Sequence, residues 1–211
     1  MSTVVVIAKS PVAGQVKTRL CPPLTIHGAA RLAAAALDDT LDAVRGAAAT
    51  RRVLALAGAL SSSPPGFEVR PQRGDCFADR LVAAFADAGP GPVLLIGMDT
   101  PQLGSRLIEA ALTALLATDA VLGRAIDGGW WALGLQNGSH AEVLHGVSMS
   151  TPDTAAATYT ALRALGLRIS ELPRLRDVDT FPDAVAVARL APATRFASAL
   201  ELVLADGAVP A

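Results

Sequence analysis

The run Thr3-Val4-Val5-Val6-Ile7-Ala8 decides the fold class of this chain. Its apolar, mostly β-branched residues follow one another without polar alternation, which is typical of a strand buried on both faces of a parallel sheet. The run Pro92-Val93-Leu94-Leu95-Ile96-Gly97 has the same character and predicts a second central strand. Both runs favour an α/β protein in which helices cover the two faces of the sheet.

Further strands and helices alternate along the rest of the chain. Strands are predicted at 52–57, 67–71, 120–123, 130–135 and 167–172, and helices at 29–46, 75–87, 103–118, 154–165, 182–190 and 194–205. Alternation of this kind predicts a mostly parallel sheet between two helical layers, a three-layer α/β/α sandwich. We expect one domain over residues 1–211, since this length suits a single core.

The composition excludes several function classes. A net charge of −1 argues against a surface that coats nucleic acid, because such a surface needs a basic excess. Cys21 and Cys76 are too few for a disulfide framework and predict two unpaired thiols in a reducing compartment. No apolar run approaches the ~20 residues of a membrane span, and the N-terminal residues lack the pattern of a signal peptide. We therefore expect a cytoplasmic protein without nucleic-acid or membrane partners.

The segment after the first strand has the features of a phosphate-binding loop. It reads Lys9-Ser10-Pro11-Val12-Ala13-Gly14-Gln15-Val16-Lys17-Thr18-Arg19 and combines a glycine, backbone amides and three cations. A polyphosphate site needs these groups. The loop is not a P-loop, because Gln15 and Val16 separate its glycine from the next lysine. The alternative is a surface loop with scattered charge.

Lysine usage singles out the same loop. Of the 18 basic residues, only Lys9 and Lys17 are lysines, and the other 16 are arginines. A chain that uses arginine elsewhere on its surface retains lysine here, which favours a role for a compact ammonium group.

Two other segments could supply carboxylates to a metal ion. Asp99 follows the second central strand and could bind Mg²⁺ through its oxygens, or it could cap the next helix. In the segment 176–183, Thr180 and Asp183 have the spacing of a capping box. That assignment leaves Asp177 or Asp179 for the metal, with Asp177 favoured, unless the segment is a solvated acidic turn.

The segments expected to face an acceptor are less specific. Asp127-Gly128-Gly129-Trp130-Trp131 resembles a substrate-facing turn, although core packing is expected for at least one of the tryptophans. A second polar segment, 145–151, contains His145 and the hydroxyl residues Ser148, Ser150 and Thr151, which could bind a phosphate or carboxylate. His145 itself is expected to be an ordinary surface or core residue.

These motifs, in this order, resemble an uncharacterised group of GT-A-fold transferases that are often labelled glycosyltransferase-like. The group resembles 2-phospho-L-lactate guanylyltransferase and, more distantly, the molybdenum-cofactor nucleotidyltransferases. The similarity runs from about Val4 to Asp183. It implies a GT-A (nucleotide-diphospho-sugar transferase) fold with about seven strands.

The resemblance also implies roles for particular residues. Nucleotide would be bound by Ala8, Lys9, Pro11, Gly14, Lys17, Thr18 and Arg19, of which Lys9, Lys17 and Arg19 would be catalytic. Mg²⁺, or Mn²⁺ in its place, would be held by Asp99 and Asp177, and the acceptor by Asp127, Gly128, Gly129, Ser148, Ser150 and Thr151. The chain departs from the group's relatives at Asp99, which is not part of an Asp-x-Asp motif, and in lacking a glycine-rich nucleotide loop.

Three functions follow from these residues. The first is Mg²⁺-dependent transfer of a nucleoside monophosphate from a nucleoside triphosphate to a small phosphorylated or anionic acceptor. The second is glycosyl transfer from a nucleotide sugar, with Asp127 as the base. The third is a non-catalytic nucleotide-binding module. The missing Asp-x-Asp motif favours the first of these over the second.

Overall fold

The computed structural model describes residues 2–206, which contain a seven-stranded sheet with helices on both faces. The strands are β1 (Thr3–Lys9), β2 (Arg51–Ala57), β3 (Glu68–Pro71), β4 (Val93–Gly97), β5 (Ala120–Ala125), β6 (Trp130–Leu135) and β7 (Ile169–Leu175). The helices are α1 (Ile26–Gly46), α2 (Phe77–Asp87), α3 (Ser105–Ala117), α4 (Thr154–Ala164), α5 (Phe181–Leu190) and α6 (Arg195–Ala205). Two 3₁₀ segments, Thr18–Leu20 and Gly138–Gly146, complete the structure.

The strand order across the sheet is β3-β2-β1-β4-β6-β5-β7. β6 runs antiparallel to its neighbours β4 and β5, and the other pairings are parallel. The predicted α/β fold with a mostly parallel sheet is confirmed. The predicted single domain also includes residues 1 and 207–211, which lie outside the described part of the chain.

The alternation of side chains along β1 builds both faces of the core. Val4 and Val6 pack in a cluster with α1 and α3, whereas Val5 and Ile7 pack in a cluster with α2 and α4. All four side chains are buried. The continuous apolar run that predicted this strand is therefore explained by apolar layers above and below it.

A third apolar cluster joins α5 and α6 to the outer side of α1. Asp39 of α1 accepts hydrogen bonds from the backbone N–H groups of Arg195 (3.0 Å) and Phe196 (2.8 Å), so it caps the N-terminus of α6. Carboxylates are favourable at this end of a helix because its N–H groups lack intrahelical partners. Within residues 2–206, no helix is both long and apolar enough to cross a membrane.

The last strand differs from its prediction. β7 covers Ile169–Leu175, whereas the sequence pattern predicted 167–172. Leu167 instead packs in the apolar cluster below α4, in the turn that leads into the strand. Proline lacks the N–H group that a central strand uses to bond its neighbours. Pro173 is tolerated because β7 lies at the edge of the sheet and pairs with a strand on one side only.

This topology brings several loops to one edge of the sheet. β1, β4, β5 and β7 are parallel, so the segments that follow Lys9, Gly97, Ala125 and Leu175 leave the sheet on the same side. β6 runs in the opposite direction and begins there, at Trp130. Ligands of open α/β sheets bind at this carboxyl edge.

Gly123 offers a test of the packing between β5 and β6. A methyl group at this position would overlap the indole of Trp131, which is buried and donates a hydrogen bond to the Pro173 carbonyl (3.0 Å). We expect Gly123→Ala to lower the free energy of unfolding by about 1–3 kcal/mol, as overpacking does. The measurement is urea denaturation.

The matched control is Gly146→Ala, because nothing lies within 4 Å of the added methyl group. It should change stability by no more than about 0.5 kcal/mol. Equal losses in the two variants would show that the contact with Trp131 is not limiting.

Candidate active site

A cleft of about 860 Å³ opens at the carboxyl edge of the sheet. It collects most of the residues that the sequence predicted for the site. Those lining it are Ala8, Lys9, Lys17, Thr18, Arg19, Asp99, Asp127, Gly129, Ser150, Thr151 and Asp177. Four predicted residues do not line it, namely Pro11, Gly14, Gly128 and Ser148. They belong to the segments that form its walls.

Lys17 lies at the centre of a group of carboxylates. Its ammonium nitrogen is 2.8 Å from Oδ1 of Asp99 and 3.5 Å from Oδ1 of Asp179, and it donates to the Val178 carbonyl. Only 10% of the Lys17 side chain is exposed. Burial by itself lowers the pKa of Lys17, but the adjacent Asp99, together with Asp179 and Asp177, raises that pKa above its ordinary value. The ammonium group is therefore held in its charged form.

Asp99 is not a helix cap. The residue at the N-cap of α3 is Gly104, and the Asp99 side chain contacts Lys17 instead. The backbone carbonyl of Asp99 also accepts a hydrogen bond from the N–H of Val178 (2.9 Å). The segment after β4 is thereby joined to the segment after β7.

The predicted capping box at the start of α5 is confirmed. Oδ2 of Asp183 accepts from the backbone N–H (3.0 Å) and the hydroxyl (2.6 Å) of Thr180. Asp177 and Asp179 are left to the cleft, where they differ. Asp179 pairs with Lys17 and, at 3.4 Å, with the exposed Arg19, whereas Oδ1 of Asp177 is buried without a hydrogen-bond partner in the described structure.

The environment of Asp177 opposes its negative charge. Burial, together with the negative charges of Asp99 and Asp127, raises the pKa of Asp177 to about 8. A buried carboxylate oxygen that lacks a donor, among like charges, is a favourable position for a cation.

The carboxylates fit a metal ion that takes part of its coordination from a substrate. Among residues 2–206, no three His, Cys, Asp or Glu side chains converge to form a complete protein cage. Mg²⁺ does not require one, because it uses one or two carboxylates and completes its octahedron with phosphate oxygens and water. Asp99 and the unpartnered Asp177 are the residues that suit this arrangement.

The loop after β1 is shaped by contacts to neighbouring strands. The hydroxyl of Ser10 donates to the Ala59 carbonyl (2.7 Å), and the Gln72 amide donates to the carbonyls of Ala8 (2.7 Å) and Ala55 (3.0 Å). Gly14 has φ +78°, a conformation that glycine adopts at little cost. Lys9, at the end of β1, is exposed and forms no ion pair with another described residue.

Gly128 and Ser148 support the opposite wall through their backbones. Gly128 has φ +94°, and a methyl group there would overlap the Pro152 carbonyl. Its own carbonyl accepts from the N–H of Ala155 (2.9 Å). The Ser148 carbonyl accepts from the hydroxyl of Thr154 (2.9 Å). The two segments predicted to face an acceptor are thus packed together as one wall.

Backbone strain is concentrated in the cleft. Among the described residues, the non-glycine residues with a positive φ are Lys17 (50°) and Ser150 (59°), and both line the cleft. Such conformations are unfavourable for residues with a Cβ atom and persist where the surrounding structure enforces them, often at functional sites.

The structure adds residues that the sequence did not single out. Gln72, Phe77, Arg80, Thr100 and Met149 also line the cleft. The only signal for the first three was the Gly74-Asp75 pair at the start of a predicted helix, which is common in ordinary loops.

The two tryptophans and His145 have different environments. Both tryptophans line the cleft, but Trp131 is a buried core residue, whereas Trp130 is half-buried. The indole nitrogen of Trp130 is buried without a hydrogen-bond partner among residues 2–206. His145 does not line the cleft; its ring nitrogens face Asp79 (3.2 Å) and Glu142 (3.3 Å).

Comparison with known families places the chain. A family model described as "Uncharacterized protein conserved in bacteria (DUF2064)" matches residues 31–151, more than half of the chain. The chain belongs to the DUF2064 family. No curated protein matches it significantly.

Solved structures share the fold of this DUF2064 protein. A candidate nucleotide-diphospho-sugar transferase from Desulfovibrio desulfuricans is 26% identical, with a TM-score of 0.85 over 98% of this chain and 94% of the other. The 2-C-methyl-D-erythritol 4-phosphate cytidylyltransferase from Thermus thermophilus is 19% identical, with a TM-score of 0.57 over 91% and 100%. Rv0371c from Mycobacterium tuberculosis, in complex with manganese, is 23% identical, with a TM-score of 0.56 over 89% and 98%. These likenesses support the predicted nucleotide-diphospho-sugar transferase fold.

The pairing of Lys17 yields a stability prediction. We expect Lys17→Met to lower the free energy of unfolding by about 1–3 kcal/mol, because it leaves Asp99 and Asp179 without their shared cation. This range is below that for a fully buried pair, since the two carboxylates are 40% and 39% exposed. Urea denaturation without divalent cations measures the loss.

Arg19→Met is the matched control, since Arg19 also faces Asp179 but is 76% exposed. Its effect should stay within about 0.5 kcal/mol. A Lys17→Met protein as stable as the Arg19→Met protein would contradict a structural role for the Lys17 pair.

Proposed function

We propose that this DUF2064 protein is a Mg²⁺-dependent nucleotidyltransferase that moves a nucleoside monophosphate from a nucleoside triphosphate to a small phosphorylated or anionic acceptor. One observation carries the proposal. The cleft joins a cationic loop after β1 to carboxylates after β4 and β7, and one of these, Asp177, has a buried oxygen without a partner among the described residues.

The carboxylates are proposed to serve the metal. Asp99 and Asp177 would hold Mg²⁺, with Mn²⁺ as the alternative ion. A manganese complex of a protein with this fold supports the use of a divalent ion. When bound, such an ion offsets the charge on the reacting phosphate oxygens. Asp179 is the alternative second ligand by sequence, but its pairing with Lys17 and Arg19 favours Asp177.

The loop after β1 is proposed to bind the triphosphate. Lys9 would steady the α-phosphoryl group, since its ammonium has no carboxylate partner among the described residues. Arg19 and Lys17 would face the charge that develops on the leaving pyrophosphate, while Lys17 also holds Asp99 and Asp179 in position. Ala8, Pro11, Gly14 and Thr18 would contribute backbone and loop shape. Catalysis of this kind depends on positioning and preorganised charge, so an acceptor that is already ionised needs no general base.

The wall opposite the loop after β1, which the segments 127–129 and 148–151 form, is proposed to bind the acceptor. Asp127, Gly129, Ser150 and Thr151 line the cleft on this side. Gly128 and Ser148 belong to the same segments and act through their backbone contacts.

Glycosyl transfer remains a second candidate because the 26%-identical relative is described as a candidate nucleotide-diphospho-sugar transferase. In that reaction the nucleoside diphosphate would leave, and the exposed Asp127 would be placed to take a proton from an acceptor hydroxyl. The two reactions differ in their released product. Pyrophosphate indicates nucleotidyl transfer, and a nucleoside diphosphate indicates glycosyl transfer.

The first experiment is thermal unfolding against nucleoside triphosphates, diphosphates and nucleotide sugars, each with and without Mg²⁺. A ligand at about 100 times its dissociation constant adds about 2.7 kcal/mol, which shifts the melting temperature by several degrees. A Mg²⁺-dependent shift with a triphosphate, followed by pyrophosphate release, is the expected result. A shift that is indifferent to Mg²⁺, without turnover, would contradict the proposal and favour a binding module.

Asp177→Asn tests the metal site without a turnover assay. At a pH above the Asp177 pKa of about 8, where this carboxylate is ionised, Asp177→Asn removes its negative charge from beside Asp99 and Asp127 and should raise the melting temperature in the absence of divalent cations. The same change should abolish the further stabilisation by Mg²⁺ or Mn²⁺ that we expect for the native protein. Thermal unfolding with and without each ion measures both effects.

The control is Asp38→Asn on α1, whose carboxylate is 55% exposed and 3.8 Å from Arg195. Its melting temperature and its response to the ions should match those of the native protein. A metal response that survives in Asp177→Asn would exclude Asp177 as a ligand.

A further inference from the structure

Some of the basic residues that line the cleft form ion pairs with carboxylates, and others do not. Four basic residues line it, namely Lys9, Lys17, Arg19 and Arg80. Lys17 and Arg19 already face carboxylates. Lys9 and Arg80 form no ion pair with any other residue in the range 2–206, so their charges are the ones left for a ligand.

Arg80 is fixed by the turn that precedes α2. Its Nε donates to the Gly74 carbonyl (3.2 Å), which leaves the two terminal guanidinium nitrogens without an acceptor among the described residues. Oδ2 of Asp79 accepts from the N–H groups of Asp75 (3.2 Å) and Cys76 (3.1 Å) and closes the turn. Gly74 has φ +125°, and a methyl group there would overlap Asp79. The turn therefore presents a half-buried arginine in a defined orientation.

Arg80 lies on α2, which packs on the face of the sheet opposite to α1. α2 packs on the same face of the sheet as α4, whereas the loop after β1 leads into α1 on the other face. Trp130 and Met149 pack against the cluster on the α2 face, and both line the cleft with Phe77 and Arg80. We refer to Phe77, Arg80, Trp130 and Met149 as the α2 wall.

The α2 wall offers hydrogen-bond donors beside apolar surface. The indole N–H of Trp130 is buried without a partner among the described residues. Buried donors are satisfied in nearly all native structures, so an orphan that lines a cleft points to a missing acceptor. Two terminal guanidinium nitrogens form a planar fork that matches a phosphate or carboxylate group.

We propose that the α2 wall extends the acceptor subsite that the segments 127–129 and 148–151 form, and that Arg80 binds the acceptor through an oxyanion group, either a phosphate or a carboxylate. Trp130 supplies a further N–H donor, and Phe77 and Met149 contact an apolar part of the same small molecule. The identification of this ligand as the acceptor rests on the proposed nucleotidyl transfer. The oxyanion site itself rests on the geometry of the wall.

The test measures the affinity for inorganic phosphate. The readout is the shift in melting temperature on phosphate addition at constant ionic strength. We expect Arg80→Ala to weaken phosphate binding about tenfold or more, the effect of losing hydrogen bonds to a charged group. Arg80→Lys keeps the charge but not the fork and should show an intermediate loss. Trp130→Phe should weaken binding by a smaller factor, because it removes the N–H and keeps most of the ring.

Arg73→Ala is the matched control. Arg73 lies in the same turn but is 61% exposed and pairs with Asp87, outside the cleft. Its phosphate affinity should stay within about twofold of the native value. All titrations are repeated in a Lys9→Ala background, where the effect of Arg80→Ala should persist, because Lys9 is the other unmatched cation of the cleft.

A second titration measures the affinity for the Mg²⁺-nucleoside triphosphate in the same variants. We expect Arg80→Ala to leave it within about twofold. An equal loss of nucleotide and phosphate affinity would assign Arg80 to the donor and overturn the proposal. So would unchanged phosphate affinity in Arg80→Ala, or no phosphate binding by the native protein. If Arg80→Ala does not fold, the decision rests on Arg80→Lys and Trp130→Phe.

Failure of the proposed function gives a different result. In that case no triphosphate yields pyrophosphate, while phosphate binding still depends on Arg80. The two proposals can therefore fail separately.

Discussion

The ion pair between Lys17 and Asp99 is the contact on which the rest of the site depends. It joins the loop after β1 to the loop after β4, and the bonds from Lys17 to Val178 and Asp179 bring in the segment after β7. Three segments that are distant in sequence thus converge on one ammonium group. Because that group is largely buried, its desolvation must be offset by these partners, and the partners in turn require the cation. The left-handed backbone of Lys17 shows that the loop adopts an unfavourable conformation to deliver it.

The charges of the cleft are unbalanced in a way that suits a bound ligand. One wall carries Asp99, Asp177 and Asp179 around a single buried lysine, and Asp177 is left without a hydrogen-bond donor among the described residues. The other wall carries Arg80 without a carboxylate partner in the same part of the chain. In a protein optimised for stability alone, Asp177 would have a hydrogen-bond donor and Arg80 would have a carboxylate partner. Retained strain and unmatched charge are expected where a metal and anionic substrates complete the structure.

The fold explains why these groups meet but does not choose the chemistry. Parallel strands place their carboxyl ends on one edge, and the antiparallel β6 brings Trp130 to the same edge. Relatives of this architecture include a cytidylyltransferase and a candidate sugar transferase, so the fold by itself is compatible with both reactions. The choice between them depends on which bond of the nucleotide the acceptor attacks. The support for nucleotidyl transfer comes from the site, where cations and carboxylates are arranged around a polyphosphate-sized cleft.

The sequence by itself determined the elements and the composition of the site. Continuous apolar runs identified β1 and β4, and the Thr180–Asp183 spacing identified the cap of α5. The resemblance to GT-A-fold transferases implied that Asp99 and Asp177 would lie in one site, and both line the cleft. Periodicity reports burial and local propensity, but it carries no information on which charges become neighbours. Only the tertiary structure decided that Lys17 pairs with Asp99, that Gly128 packs against the Pro152 carbonyl, and that Arg80 has no ion-pair partner among the described residues. Those outcomes depend on strand order and helix packing across the sheet, which bring residues distant in sequence, such as Lys17 and Asp99, into contact.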